Sequence, residues 1–233
     1  MRILSFTFFL CLLTIISLGQ ERDLKKKPER TDKFIRMDGL RVGLDLSRSL
    51  QHLWNKGNRY GTELSFDMEL IPNLYPVIET GWERLSIDHD FLEYVSSGSY
   101  TRFGFDYNLL VAEHKKDMDI VYVGLRYGFN FANQQVKRYM IANYWGDITG
   151  RLGRQNYNAQ WAEVVLGIKG EVFSNFFMGW SIRGKLKMDQ KELDLPHVYF
   201  NPGYGPAEKD FNFDISYSIF YNLPFNFRGS KKE

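Results

Sequence analysis

The sequence predicts an all-β protein, an eight-stranded antiparallel up-and-down transmembrane β-barrel with short periplasmic turns and long extracellular loops. Three observations predict it. From Gly39 onward, eight segments alternate bulky apolar residues with small or charged ones at a period of two. The connections between them alternate short and long, as in a meander with one tight end and one end of extended loops. The face opposite the bulky one is rich in glycine and in charges of both signs, which suits a narrow interior better than a solvated surface. At 233 residues the chain fits one domain, and a formal net charge of +2 provides no field that would draw it to nucleic acid.

Residues 1–19, MRILSFTFFLCLLTIISLG, set Arg2 before an apolar run from Ile3 to Ile16 and end on the small residues Ser17 and Gly19. This is the pattern of a secretory signal peptide, too short for a span and followed directly by charge. Cys11 is the only cysteine and lies within it. The mature chain therefore has no disulfide, thiol nucleophile or cysteine metal site. Residues 20–38 are charged and poor in apolar side chains, a flexible periplasmic leader. The barrel is expected over 39–227, with a polar tail at 228–233. After the signal no apolar run is long enough for a membrane helix, so any crossing must be made by strands.

The eight segments are 40–50, 60–70, 75–87, 99–110, 119–131, 161–173, 176–188 and 211–223. In the fifth, DIVYVGLRYGFNF, the residues Val121, Val123, Leu125, Tyr127 and Phe129 share one face, and Tyr122, Gly124, Arg126, Gly128 and Asn130 the other. Each segment is about ten residues long, the length a tilted strand needs to cross a bilayer. Long connections are expected at 51–59, 88–98, 132–160 and 189–210, and short ones at 71–74, 111–118 and 174–175, where Pro72-Asn73 and Ser174-Asn175 supply turn chemistry.

Alternation alone does not choose between a membrane barrel and a soluble, lipocalin-like one, since the two differ only in which face points inward. The small face carries Gly43, Gly61, Gly81, Gly104, Gly124, Gly128, Gly167 and Gly179. Among them stand Arg41, Arg102, Arg126, Lys169 and Arg183, and the acids Asp45, Glu63, Asp67, Glu79, Glu83, Asp106, Glu163, Glu171 and Asp214. Glycine contributes nothing to a solvated strand, whereas inside an eight-stranded ring it makes room for long side chains that can pair. The bulky face carries Tyr60, Trp82, Tyr107, Tyr127, Phe131, Trp180 and Tyr221, which suit interfacial aromatic girdles. The bulky face is therefore expected to meet lipid.

No phosphate-cradling loop, dinucleotide fingerprint, metalloprotease helix or calcium loop is present. The four histidines are His52, His89, His114 and His197. In SIDHD, His89 stands between Asp88 and Asp90 near Ser86, the residue types of a rim-located lipid hydrolase. Neighbours on an extended chain point in opposite directions, so a solvated histidine is the favoured reading. The interior charges are read as a structural network rather than an ion path. Loop 132–160 carries Lys137, Arg138, Arg151 and Arg154 with Tyr139, Tyr144 and Trp145. Loop 189–210 carries Asp189, Glu192, Asp194, Glu208 and Asp210 with YFNPGYGP, and loop 88–98 carries Asp88, Asp90 and Glu93. Opposite charges are expected to hold these loops together over the barrel mouth.

The segments GLRVGLDLSRSL, SYTRFGFDYNLL, VYVGLRYGFNF and WAEVVLGIKGEVFSNFFMGWSIRGKL, with the aromatic last strand, resemble an uncharacterised outer-membrane β-barrel family, a domain of unknown function of Bacteroidota-type Gram-negative bacteria. The resemblance spans about residues 39–223. It implies fold and location and supplies no catalytic, cofactor-binding or metal residue. The chain ends LPFNFRGSKKE, so either Phe225 or Phe227 can be the terminal aromatic that barrel-assembly machinery reads. The expectation is a non-enzymatic monomer in outer-membrane lipid, without a cofactor. Its polar lumen is packed, with no open pore, and its loops are free to meet a glycan or a protein. The rivals are a soluble secreted ligand-binding barrel, a rim hydrolase and a small pore.

Overall fold

A computed structural model describes residues 39–48, 58–110, 118–144, 146–191, 193 and 196–224. The signal peptide, the leader and the polar tail lie outside the described residues. The strands are β1 (Leu40–Asp45), β2 (Arg59–Met68), β3 (Leu74–His89), β4 (Leu92–Asn108), β5 (Ile120–Ile141), β6 (Ile148–Phe173), β7 (Phe176–Gln190), β8 (Phe200–Asn201), β9 (Gly205–Pro206) and β10 (Phe211–Leu223). Eight of them close a ring in the order β1-β2-β3-β4-β5-β6-β7-β10, and β8 and β9 form a separate two-stranded ribbon. Every neighbouring pair in the ring is antiparallel. The fold is thus the eight-stranded meander barrel.

The ring is strongly sheared. Val42 pairs directly with Tyr221 across the closing seam. Followed the other way, the ladder runs from Val42 through Phe66, Ile78, Phe103, Tyr127, Ala162 and Leu186 to Phe211. The two arrivals on β10 are ten residues apart, a stagger that tilts the strands by about 40° and leaves an interior only wide enough for side chains.

The orientation is as expected from the glycine-rich face. Leu125 is 65% exposed and Phe213 63%, while Arg102 and Glu83 are 0% exposed. The bulky column faces out all round the ring, and the charges face in. A soluble barrel with an apolar ligand cavity would need the reverse.

Strand lengths differ from the sequence expectation in an informative way. The segment 88–98 is ladder, because β3 and β4 run on to a tight hairpin where His89 pairs with Leu92. Most of 132–160 is ladder too, since β5 and β6 meet at Ile141 and Ile148. The alternation does not stop at Phe131; it inverts. Below it, Arg126, Gly128 and Asn130 face in and are buried, with Leu125 and Phe131 exposed. Above it, Ala132, Gln134 and Val136 are the buried ones, and Gln135 and Lys137 are exposed. A strand whose outer face turns polar reads as loop when only an apolar outer face is sought.

The short turns use one device twice. Asn73 and Asn175 adopt left-handed backbone at φ 67° and 65°, which asparagine tolerates better than most residues. Each backbone N–H donates to a glutamate four residues earlier, Asn73 to Glu69 (3.0 Å) and Asn175 to Glu171 (2.7 Å). Glu171 is therefore an exposed turn residue, a correction to its expected place in the lumen, because β6 is leaving the ring at that point.

Inside, glycines stand opposite rings. A Cβ on Gly128 would collide with the indole of the fully buried Trp161, one on Gly81 with Tyr100, one on Gly167 with Tyr122, and one on Gly43 or Gly179 with Phe220. Gly128→Ala should therefore overpack the lumen and lower the unfolding free energy by about 1–3 kcal/mol in urea titrations followed by tryptophan fluorescence. Gly153→Ala, with nothing within 4 Å of its Cβ, should change it by no more than about 0.5 kcal/mol.

Candidate functional site

Seven acidic and seven basic side chains are buried among the described residues. They stack in three linked tiers. At the end where β1 begins and β10 ends, Arg41 Nε donates to Asp67 (2.6 Å), Lys169 Nζ to the other Asp67 oxygen (2.8 Å), and Arg126 Nη2 to Asp106 (2.7 Å). At mid-barrel, Arg102 bridges Glu63, Glu79 and Glu163, and Arg183 joins Glu79 (2.7 Å) to Glu163 (3.4 Å). At the far end, Glu83 accepts from Arg48 (2.8 Å) and Arg59 (2.5 Å), and Asp214 accepts from Lys185 (2.8 Å).

The rings line this column. Arg48 and Arg102 each lie over Tyr100, at 5.1 and 5.2 Å, and Lys169 lies 4.9 Å from both Tyr122 and Phe220. Tyr100 also donates its hydroxyl to Glu63 (2.5 Å). Ions in so dry a space are tolerable only when each meets an opposite charge or hydrogen-bonding partners. The residual cavity, lined by Asp45, Glu63, Glu79, Lys169 and Arg183, has room for about one water molecule.

The far end is stoppered by the β7–β10 connection. Asn201, Pro202, Gly203, Tyr204 and Gly205 are all buried. Gly203 is the deepest anchor: its N–H donates to Glu83 (2.9 Å), and its carbonyl accepts from Lys185 Nζ (2.8 Å). Asn130 Nδ2 donates to the Pro202 carbonyl (3.0 Å), and Tyr204 packs on Trp161 with ring centroids 5.8 Å apart. Gly203 has φ +82°, and a Cβ there would meet the Tyr100 ring. Only glycine allows this backbone to descend so far.

Above the stopper, the inverted faces of β4, β5 and β6 form a wall that the same connection leans on. Ala132, Tyr157, Val198 and Ala207 form a small apolar cluster there with Leu193. Tyr94 donates to Gln134 (2.9 Å), which donates in turn to the Pro196 carbonyl (2.7 Å), and Tyr157 donates to the Phe200 carbonyl (2.5 Å). Burial pushes the Tyr94 phenol up to about 12 and the Tyr157 phenol also upward, so both remain donors at neutral pH.

The residues singled out from sequence fall as follows. His89 is exposed at the tip of the β3–β4 hairpin and makes no hydrogen bond to Ser86, Asp88 or Asp90 among the described residues. Lys137 pairs with Glu93 (2.7 Å), while Arg138, Arg151 and Arg154 are exposed. Among the described residues, Lys137–Glu93 is the one ion pair between 88–98 and 132–160 of the kind that charge alone suggested. The inserted connection itself is held by wall side chains bonding its carbonyls, because the backbone of an inserted segment must find partners of its own. Trp145, Glu192, Asp194, His52 and His114 lie outside the described residues. Arg48 was missed, since unbroken alternation over 40–50 puts it on the outer face. In fact β1 stops at Asp45, which accepts from the Ser47 N–H (2.7 Å), and the chain turns Arg48 inward.

The chain belongs to the family described as a domain of unknown function (DUF6048), whose model matches residues 1–228. No curated protein matches it. Among solved structures it is similar to the N-terminal β-barrel domain of Pseudomonas aeruginosa OprF, at 12% identity and a TM-score of 0.32, over 80% of this chain and 98% of that one.

Two outcomes follow from the lumen. Arg102→Met strands three carboxylates and should lower the unfolding free energy by about 3–5 kcal/mol in urea titrations. Gly203→Val should expel the stopper from a barrel that still folds. Brief trypsin treatment would then cut after Lys191 or Lys209 in the variant and leave those two bonds uncut in the parent. Equal resistance of the two would show that the inserted segment does not depend on Gly203.

Proposed function

We propose that this member of the family is an outer-membrane β-barrel protein of a Bacteroidota-type Gram-negative bacterium, exported by its N-terminal signal peptide. Its short turns face the periplasm and its tall hairpins face outward. Outer-membrane lipid surrounds it, and barrel-assembly machinery inserts it. It works as a monomer, without a cofactor and without catalysis. The lumen is a structural core rather than a pore, and any binding is exercised by the outer hairpins, where a glycan or another protein can reach them.

The observation that carries this reading is the inversion at Phe131. From Val121 to Phe131 the outward residues of β5 are apolar, a stretch of about the length that crosses hydrocarbon at a 40° tilt. Beyond it the outer residues Asn133, Gln135 and Lys137 are polar, as on a strand that passes from lipid into water, while Ala132 and Val136 bring apolar side chains to the inner face. Trp82 pairs with Tyr60 edge-on (5.5 Å) and Phe129 with Phe131 (5.8 Å) near this level, in the manner of an interfacial girdle.

Fractionation tests the reading. The protein should stay with outer membranes through a carbonate wash and run at a different gel mobility before and after boiling. Recovery in the soluble periplasmic fraction would overturn it. Leu125→Arg, on the outer face at mid-span, should lower folding stability in lipid vesicles by about 2–4 kcal/mol, whereas Gln135→Arg should change it little. Purified protein in a planar bilayer should give no single-channel steps; regular conductance would overturn the sealed lumen.

A further inference from the structure

Among the described residues, the far-end wall leaves the outer edge of β6 without a strand beside it. β7 parts from β6 where Ala159 faces Gln190, and the last bond between them is Lys191 N–H to the Asn158 carbonyl (2.9 Å). From Ile148 to Tyr157, β6 is laddered to β5 on one side and has no strand beside it on the other among the described residues. This is a ready-made template for a further strand. The strand is uncrowded at Gly153 as well, where a Cβ would have no atom within 4 Å.

The edge is uniformly basic. Arg151 and Arg154 are exposed on it, and the exposed Lys191 stands at its foot with Nζ 3.5 Å from the Asn156 carbonyl. None of the three has a carboxylate partner among the described residues, and no acidic residue occurs between Ile148 and Ala162. Two copies meeting edge to edge would set these cations against their counterparts, so self-pairing is opposed. The leader, 20–38, and the polar tail, 228–233, are themselves net basic and so do not complement it.

We propose that the outer edge of β6, Ile148–Tyr157, is a β-augmentation site for an extended acidic peptide segment of a partner protein, which adds to the sheet through its main chain and places carboxylates beside Arg151 and Arg154. The inference rests on the barrel geometry and stands whether or not the barrel lies in a membrane. Main-chain pairing gives the affinity, and the cations select against neutral or basic strands.

The test uses the full-length protein folded in detergent and a fluorescent nine-residue peptide of alternating valine and glutamate, read by anisotropy. The peptide should bind, and its lysine counterpart should not. The double variant Arg151→Glu, Arg154→Glu, both exposed and therefore expected to fold as the parent does, should bind the acidic peptide at least about tenfold more weakly. A version of the peptide N-methylated at alternate residues, which keeps its charge but cannot donate to an edge, should lose binding altogether. Hydrogen exchange should show new protection at amides within 148–157. Absence of binding, binding unchanged in the charge-reversed variant, or equal binding of the N-methylated peptide would each overturn the proposal, the last by reducing it to charge attraction. Concentration-dependent dimers of the parent that the charge reversal disrupts would overturn it in favour of a second copy.

Discussion

Arg102 lies at the centre of the barrel, fully buried, with carboxylates from β2, β3 and β6 around it. Its position states the constraint that governs the rest. A ring of eight strands encloses too little space to hydrate an ion and too much to leave empty. Whatever faces inward must therefore fill volume and cancel charge together. Arginine and glutamate do both, since their long stems fill space and their planar ends dock on one another. The glycines follow from the same constraint: where Tyr100, Tyr122, Trp161 or Phe220 crosses the lumen, the facing strand has no Cβ to spare. The network thus resembles a packed core in which ion pairs take the part that leucines play elsewhere. Removing one member strands several others.

The charged column would end abruptly at the wide mouth, with Glu83, Lys185 and Asp214 open to solvent on one side. The inserted turn around Gly203 prevents this. Its amide faces Glu83 and its carbonyl faces Lys185, so one peptide group of each polarity caps one ion of each sign. The insertion depends on the wall above, where β4, β5 and β6 turn apolar side chains inward and give the descending connection something to pack on. The inversion of faces at Phe131 and the plugging of the lumen are in this sense one feature. The outer face beyond the apolar band becomes free to be polar, and the face that leaves the charged column becomes free to be a small hydrophobic core.

Much of this was legible in the sequence, and the parts that were not share a cause. Period-two alternation located all eight ring strands and their faces, and glycine on the charged face gave the orientation, because these are local signals that each strand repeats. The end of β1 was not legible: Arg48 enters the lumen only because the chain turns after Asp45, and a carboxylate capping Ser47 reads no differently from one in a strand. The extensions of β4, β5 and β6 were hidden by the assumption that a strand keeps its apolar face. In hindsight ANQQVK, residues 132–137, shows the swap plainly, with Ala132, Gln134 and Val136 on one side and Asn133, Gln135 and Lys137 on the other. The descent of NPGYG was legible only as a turn. That it turns into the barrel depends on Trp161, Tyr100, Glu83 and Lys185 meeting it from four different strands, and such a meeting is non-local.

A lumen committed to holding the fold together has few side chains left over for chemistry. Each buried ion described in it has a structural partner, and the small cavity beside Asp45 and Arg183 is of a size to complete hydrogen bonds rather than to admit a ligand. Freedom to vary lies at the far end, where β5 and β6 rise beyond the ring and the sheet stops being closed. Closure is what protects a barrel from joining other strands, and the β6 edge is where this barrel gives that protection up. Arg151 and Arg154 then carry two consequences at once. They keep like from pairing with like, and they define the charge of any strand that can pair. An edge guarded by one sign of charge is a selective edge, and selectivity of that kind is open to an outer hairpin in a way that it is not to a filled interior.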